Sequence, residues 1–172
     1  MESFLYTIGF TQKSAEQFFQ LLVDAAVTKV VDIRENRVGQ LQGFARFPDI
    51  AYFLRRIVNA EYVYEPLFAP SPEIREAYRT SHDWNQYESS FRALMTARNA
   101  IELAKPEDYQ GKVAFLCSEP GPEKCHRRLI AEMLAEKWNA QGHSVEVKHL
   151  VIPKAPHTKK KRGRANDRTD PL

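Results

Sequence analysis

The run KVAFLC at residues 112–117 sets the tightest limit on how this chain can fold. After its lysine every side chain is apolar, with no alternation. A strand with one wet face alternates polar and apolar residues, so an unbroken run fits a strand covered on both sides, as in a parallel sheet between helix layers. Residues 29–33 (KVVDI) repeat the pattern. Residues 5–9 (LYTIG) form a third β-rich run, ended by a glycine that suits a strand leaving its sheet.

Helical periodicity fills the intervals. Ser14 and Gln17 have capping-box spacing, in which the serine oxygen accepts an amide from the first turn. Phe18, Leu21, Leu22 and Ala25 follow as one apolar stripe. Pro48 suits a first helical turn, and Ile50, Phe53, Leu54 and Ile57 form the next stripe. A strand is expected at 61–67 and, after Pro66, Pro70 and Pro72, a short helix at 73–78. Trp84, Tyr87, Phe91, Leu94, Met95 and Ile101 predict one long helix interrupted only by Arg98, its aromatics read as core. A helix is expected from about Cys125 to Trp138, and a last, alternating strand at 144–152.

Strands alternating with amphipathic helices predict an α/β fold: a mainly parallel β-sheet flanked by helices on both faces, three layers in a Rossmann-like arrangement. At 172 residues this fits a single domain over 1–152. An apolar share of 43% and an aromatic share of 11% exclude a disordered chain. No stretch reaches the roughly 20 apolar residues of a membrane span, so no membrane partner is expected. MESFLYTIGF has no basic region before a long apolar run, so no secretory signal is read there. Two cysteines eight positions apart are too few for a disulfide scaffold and point to reduced thiols in a cytoplasmic protein.

The net charge of +3 is unevenly spread. Residues 153–172 hold seven of the 25 basic residues and two of the 22 acidic ones, leaving 18 basic and 20 acidic groups, net −2, in the remainder. With no apolar periodicity, 153–172 read as a basic, disordered tail.

In open α/β sheets ligands bind beyond the carboxyl ends of the strands, and three predicted strand ends carry chemistry. The first holds Gly9, where a ligand can approach the backbone closely. The second holds Asp32 and Arg34 on one side of the strand. Arg34 can grip a phosphate or carboxylate in a two-pronged bond, or brace its loop by pairing with Asp32. The third holds Cys117 and Glu119, followed by Cys125, His126 and Arg127 at a helix start. Unpaired amides and neighbouring arginines there favour anions and thiolates, and His126 can exchange protons near neutral pH. Cys125 and His126 would point ~100° apart on a helix, against a dyad between them. The spacing of Cys117, Glu119, Cys125 and His126 matches no familiar zinc pattern, so no metal is assigned. Cys117 and Cys125 lack the two-residue separation of the usual redox pair. No glycine-rich nucleotide signature is present, and no cofactor is assigned.

Taken together, YTIGF, VVDIRENR, GFARFPDIAYFLRRI and FLCSEPGPEKCHRRLIAEML resemble the family called domain of unknown function 488, over roughly residues 5–150. EPLFAPSPEIREAYR and the DWNQY after it resemble one branch of that family. The resemblance implies the α/β fold just described and a polar set at Gly9, Asp32, Arg34, Cys117, Glu119, Cys125, His126 and Arg127. It implies no agreed activity. Where family members often carry a proline and a serine after the Asp-x-Arg, this chain has Glu35-Asn36-Arg37-Val38.

Three functions compete. The first is an enzyme acting on a phosphorylated or nucleotide-like molecule, with Arg34 and Arg127 holding the anion and Cys117, Glu119, Cys125 and His126 supplying the chemistry. The second is a nucleic-acid protein that uses the basic tail, extended by Arg37, Arg46, Arg55 and Arg56. The third is a scaffold whose Cys-His-Arg run only braces a helix.

Overall fold

The computed structural model describes residues 2–39 and 43–153. Apart from Pro153, the expected basic tail lies outside the described residues. Five strands form one all-parallel sheet: β1 (Glu2–Gly9), β2 (Lys29–Asp32), β3 (Glu61–Tyr64), β4 (Lys112–Cys117) and β5 (Ser144–Leu150), in the order β3-β2-β4-β1-β5. Six helices connect them: α1 (Ala15–Asp24), α2 (Asp49–Phe53), α3 (Pro72–Ser81), α4 (Trp84–Ala97), α5 (Ala100–Leu103) and α6 (His126–Ala140).

The expected three layers are present, and the pleat explains them. Successive strand side chains point to opposite faces. Leu5, Val31, Val113 and Phe115 meet α4, α5 and α6 on one face through Phe91, Met95, Ala100 and Trp138. Tyr6, Ile8, Val30, Ala114 and Leu116 meet α1, α2 and the turn after it on the other through Phe18, Leu22, Ile50 and Leu54. The chain winds outward from β1 to β2 and β3, then reverses to reach β4 and β5. With right-handed crossovers, that reversal moves the later helices to the opposite face.

Local chemistry sets the boundaries. Ser14 closes its capping box with Gln17, at 3.1 and 2.9 Å. Pro48 stands at the N-cap of α2, one position before the helix proper, and the helix widens into a π turn over Leu54–Val58. The third strand stops at Tyr64 instead of 67, because Pro66 has no amide to donate and Glu65 accepts from the Leu67 amide to open a 3-10 turn. β5 ends at Leu150, opposite Ile8, near the end of its neighbour β1. The single helix expected through Ile101 is two, α4 and α5, split where Asn99 turns left-handed (φ 53°). Arg98 is drawn away at the break, its Nη1 donating to the Leu67 and Ala69 carbonyls at 3.0 and 2.6 Å.

Candidate functional site

The reversal in winding brings the ends of β1, β2 and β4 side by side, with Gly9 opposite Cys117 and Asp32 opposite Leu116. A cleft of about 580 Å³ opens at these ends, between the sheet edge and α3–α4. Arg34, Cys117, Glu119, Cys125 and His126 all line it. Gly9, Asp32 and Arg127 support it from behind.

Cys117 is the last residue of β4 and points to the α4–α6 face, as Val113 and Phe115 do. Its Sγ lies 3.6 Å from His126 Nδ1. His126 Nε2 sits 3.0 Å from the Ile33 carbonyl, which can only accept, so Nε2 carries the hydrogen and Nδ1 faces the sulfur. Cys125 also joins this group, although among the described residues it is Cys117, not Cys125, whose sulfur bonds His126. Cys125 is the N-cap of α6 with extended backbone (φ −142°, ψ 136°), so the ~100° rotation between helical neighbours does not apply to it. The ligand atoms of Cys117, Cys125 and His126 lie within 4.8 Å of one another, and all three residues are buried. Glu119 is not part of that cluster.

The electrostatics follow from crowding two thiols and an imidazole in one buried place. A hydrogen bond from Cys125, then the nearby His126 and Arg127, hold the Cys117 thiol well below the ordinary thiol range, against burial. Burial, and then the charge on Cys117, push the Cys125 thiol well up. Burial works against a charged His126, but the Cys117 thiolate outweighs it and the imidazole titrates higher than usual. Desolvation and the same thiolate raise the Glu119 carboxyl.

Arg127 is fully buried behind this group. Its Nη1 donates to the Glu119 carbonyl at 2.7 Å and to Cys125 Sγ at 3.3 Å, while among the described residues Nε and Nη2 have no hydrogen-bond partner. Gly9 makes room for it: a Cβ there would lie 1.6 Å from the Glu119 oxygen and 2.8 Å from Arg127 Nη1. Arg34 takes the bracing role: Nε and Nη2 both bond the Asp32 carboxylate, at 2.8 and 2.6 Å.

Several contributors carry no local signal in the sequence. Tyr87 is core, as expected, yet with Tyr78 and the half-buried Trp84 it also lines the cleft, its ring stacked on Trp84 at 4.9 Å. Lys124, exposed at the rim, has no ion-pair partner among the described residues, whereas Arg75 pairs with Glu35 and Arg79 with Glu76. Lys13 is buried and bonds the Pro120 carbonyl, and Thr7 bonds His149 at 2.8 Å. These contacts join residues more than a hundred positions apart. Of the arginines expected to extend a basic face, Arg37 is enclosed between the Phe47 and Tyr64 rings, at 4.1 and 4.0 Å, while Arg46, Arg55 and Arg56 are exposed.

Among the described residues no helix is long and apolar enough to cross a membrane. No curated protein and no solved structure matches the chain. The model of one family, described as domain of unknown function DUF488, matches residues 14–134, from the cap of α1 through most of α6 and therefore across most of this site. By that match, the chain belongs to the DUF488 family.

Proposed function

We propose that this chain is an enzyme acting on a small anionic molecule, phosphorylated or nucleotide-like, bound in the cleft at the carboxyl ends of β1, β2 and β4. One observation carries the reading: Cys117, Glu119, Cys125 and His126 converge on the wall of a single cleft with cations at its rim. Reactive and charged groups gathered at strand ends, in a space of about 580 Å³, suit a metabolite-sized ligand. Lys124 and the exposed Arg75 and Arg79 supply positive charge toward the ligand's anionic group. The Tyr78, Trp84 and Tyr87 side gives an apolar wall for the rest of it. Cys117, Cys125 and His126 act as one reacting unit at the floor, with Glu119 as the acid–base group beside it. Arg34 and Arg127 hold this framework in place, Arg34 through Asp32 and Arg127 through the Glu119 carbonyl.

The test is a thermal-shift panel of phosphorylated metabolites and nucleotides, run on the intact chain and on a Lys124→Glu, Arg79→Ala variant. Both substitutions lie on the exposed rim and leave the core untouched. A ligand at about one hundred times its Kd adds ~2.7 kcal/mol of stability. Stabilisation by a panel member that the variant loses supports the reading. A panel with no stabilising member sinks it.

A further inference from the structure

We infer that Cys117, Cys125 and His126 form a binding site for one Zn²⁺-class divalent cation, with its fourth coordination position open to the cleft. The inference goes beyond the proposed function: it shares that cleft but is argued from interatomic distances, ligand support and charge.

The first is distance. Tetrahedral zinc has Zn–S near 2.3 Å and Zn–N near 2.0–2.1 Å, which places a thiolate sulfur and an imidazole nitrogen of one site about 3.6 Å apart. Cys117 Sγ and His126 Nδ1 are 3.6 Å apart, and all three candidate atoms lie within 4.8 Å of one another. Two thiolates and an imidazole suit a borderline-soft ion and disfavour Mg²⁺ or Ca²⁺, which take oxygen ligands.

The second is how the ligands are held. A ligating histidine usually donates its other ring N–H to a fixed acceptor, which sets the tautomer and aims the lone pair at the metal. His126 Nε2 does so with the Ile33 carbonyl, on the strand neighbouring β4, and this leaves Nδ1 toward the sulfurs. Cys125 is held in the same way: Arg127 Nη1 donates to its Sγ at 3.3 Å.

The third is charge. Arg127 is fully buried, and among the described residues no carboxylate bonds it and two of its nitrogens have no hydrogen-bond partner. A buried guanidinium whose hydrogen bonds go to a carbonyl and an uncharged thiol is costly. A bound cation makes both cysteines thiolates and so places a formal negative charge on the sulfur that Arg127 already touches.

Three protein ligands and one open position mark a zinc site that acts on a ligand; closed structural sites have four protein ligands. All three residues line the cleft, so the open position faces it. Two thiolates neutralise the ion, and Arg127 leaves the site one positive charge in excess. An anionic oxygen is the fourth ligand that balances it. The sequence spacing hides this site, because two of the ligands are adjacent residues and only the extended backbone at Cys125 turns both toward Cys117.

Co²⁺ titration of the intact, reduced and chelator-stripped protein tests the inference. The expected result is a saturable 1:1 rise in sulfur-to-cobalt charge-transfer absorbance in the near ultraviolet, with tetrahedral d–d bands in the visible that Zn²⁺ abolishes. Cys117→Ser, Cys125→Ser and His126→Gln are each expected to weaken binding at least tenfold. Circular dichroism checks that each variant is folded, and Zn²⁺-induced thermal stabilisation of the wild-type chain gives a readout free of any variant. A wild-type protein with no saturable cobalt spectrum and no zinc stabilisation overturns the inference, and so does a spectrum that survives all three substitutions. Neither readout uses an organic ligand. A cobalt spectrum without a hit in the metabolite panel would therefore leave the metal site standing and remove the proposed substrate class; the reverse pattern would do the opposite.

Discussion

Arg34 lies flat against the Asp32 carboxylate, with Nε and Nη2 each donating to a separate oxygen and the Arg34 amide adding a third bond at 3.1 Å. Both side chains are almost wholly buried, at 5% and 0% exposure, and Tyr62 fills a further acceptor site on Asp32 at 2.7 Å. Planar two-pronged pairing uses the arginine fork on its neighbour. Among the described residues only Nη1 remains without a hydrogen bond, while the guanidinium lies 5.2 Å from the Phe10 ring centre. Bracing is therefore the arginine's main task, and the end of β2 keeps its shape through it.

Breaking this pair from one side leaves a buried charge unmatched. Asp32→Ala and Arg34→Ala are each expected to lower unfolding stability by about 3–5 kcal/mol. The double substitution should cost clearly less than the sum of the two, since no lone charge remains. Urea denaturation of the three variants measures the coupling. Additive losses would show that the two residues act separately.

Gly9→Ala tests the close approach of β1 to the loop after β4. The added methyl would overlap the Glu119 carbonyl and crowd Arg127 Nη1, both parts of the backbone-and-arginine frame behind the cleft. Overpacking of this kind costs about 1–3 kcal/mol, and Glu119 has to move. Gly43→Ala is the control, because among the described residues no atom beyond its chain neighbours lies within 4 Å of the Cβ it would add. Equal stability of the two variants in urea would contradict the contact.

Arg98→Met should loosen the chain between β3 and α3. The methionine keeps most of the arginine's apolar stem but cannot donate to the Leu67 and Ala69 carbonyls. Hydrogen bonds to a charged donor are worth about 1.5–3 kcal/mol, and a loss of that size is expected in urea. The amide of Ala69, bonded to the Pro66 carbonyl inside this turn, should exchange faster with solvent. Unchanged exchange there would mean that Arg98 is dispensable.

The layers were legible in the sequence because each depends on local rules. Unbroken apolar runs at 29–33 and 112–117 mark buried strands, and the Ser14–Gln17 box marks a helix start. The site was legible as a set of residues, because strand ends in such a fold gather at one edge. Its internal pairing was not. Helical geometry separates Cys125 from His126, and only the backbone at the N-cap shows that both meet Cys117. Arg34 admitted two uses until its distances to Asp32 selected one. The α4–α5 break was masked by continuous apolar spacing, since Arg98, beside the break, bonds to a distant loop. The aromatic wall, Lys13 and the Thr7–His149 contact depend on which strands become neighbours, which no local pattern encodes.

Alkaline titration gives a test that isolates one hydroxyl. Burial, then the charge of Asp32, push the Tyr62 phenol from its ordinary 10.0 up to about 12. The folded state thus holds the proton more tightly than the unfolded chain does. For a group raised in this way, the stabilisation is fully present below pH 10 and is lost as pH climbs from there through about 12. Burial also raises Tyr87 and Tyr109, so the wild-type curve alone does not single out Tyr62. Tyr62→Phe does, because it removes one titration and leaves the other two. The variant should be the less stable protein at neutral pH, lacking the 2.7 Å bond to Asp32. Its deficit should narrow steadily between pH 10 and 12, as wild type loses what the phenylalanine never had. Urea midpoints for both proteins across that range make the comparison, and a gap that stays constant would show that the Tyr62 proton is not held by Asp32.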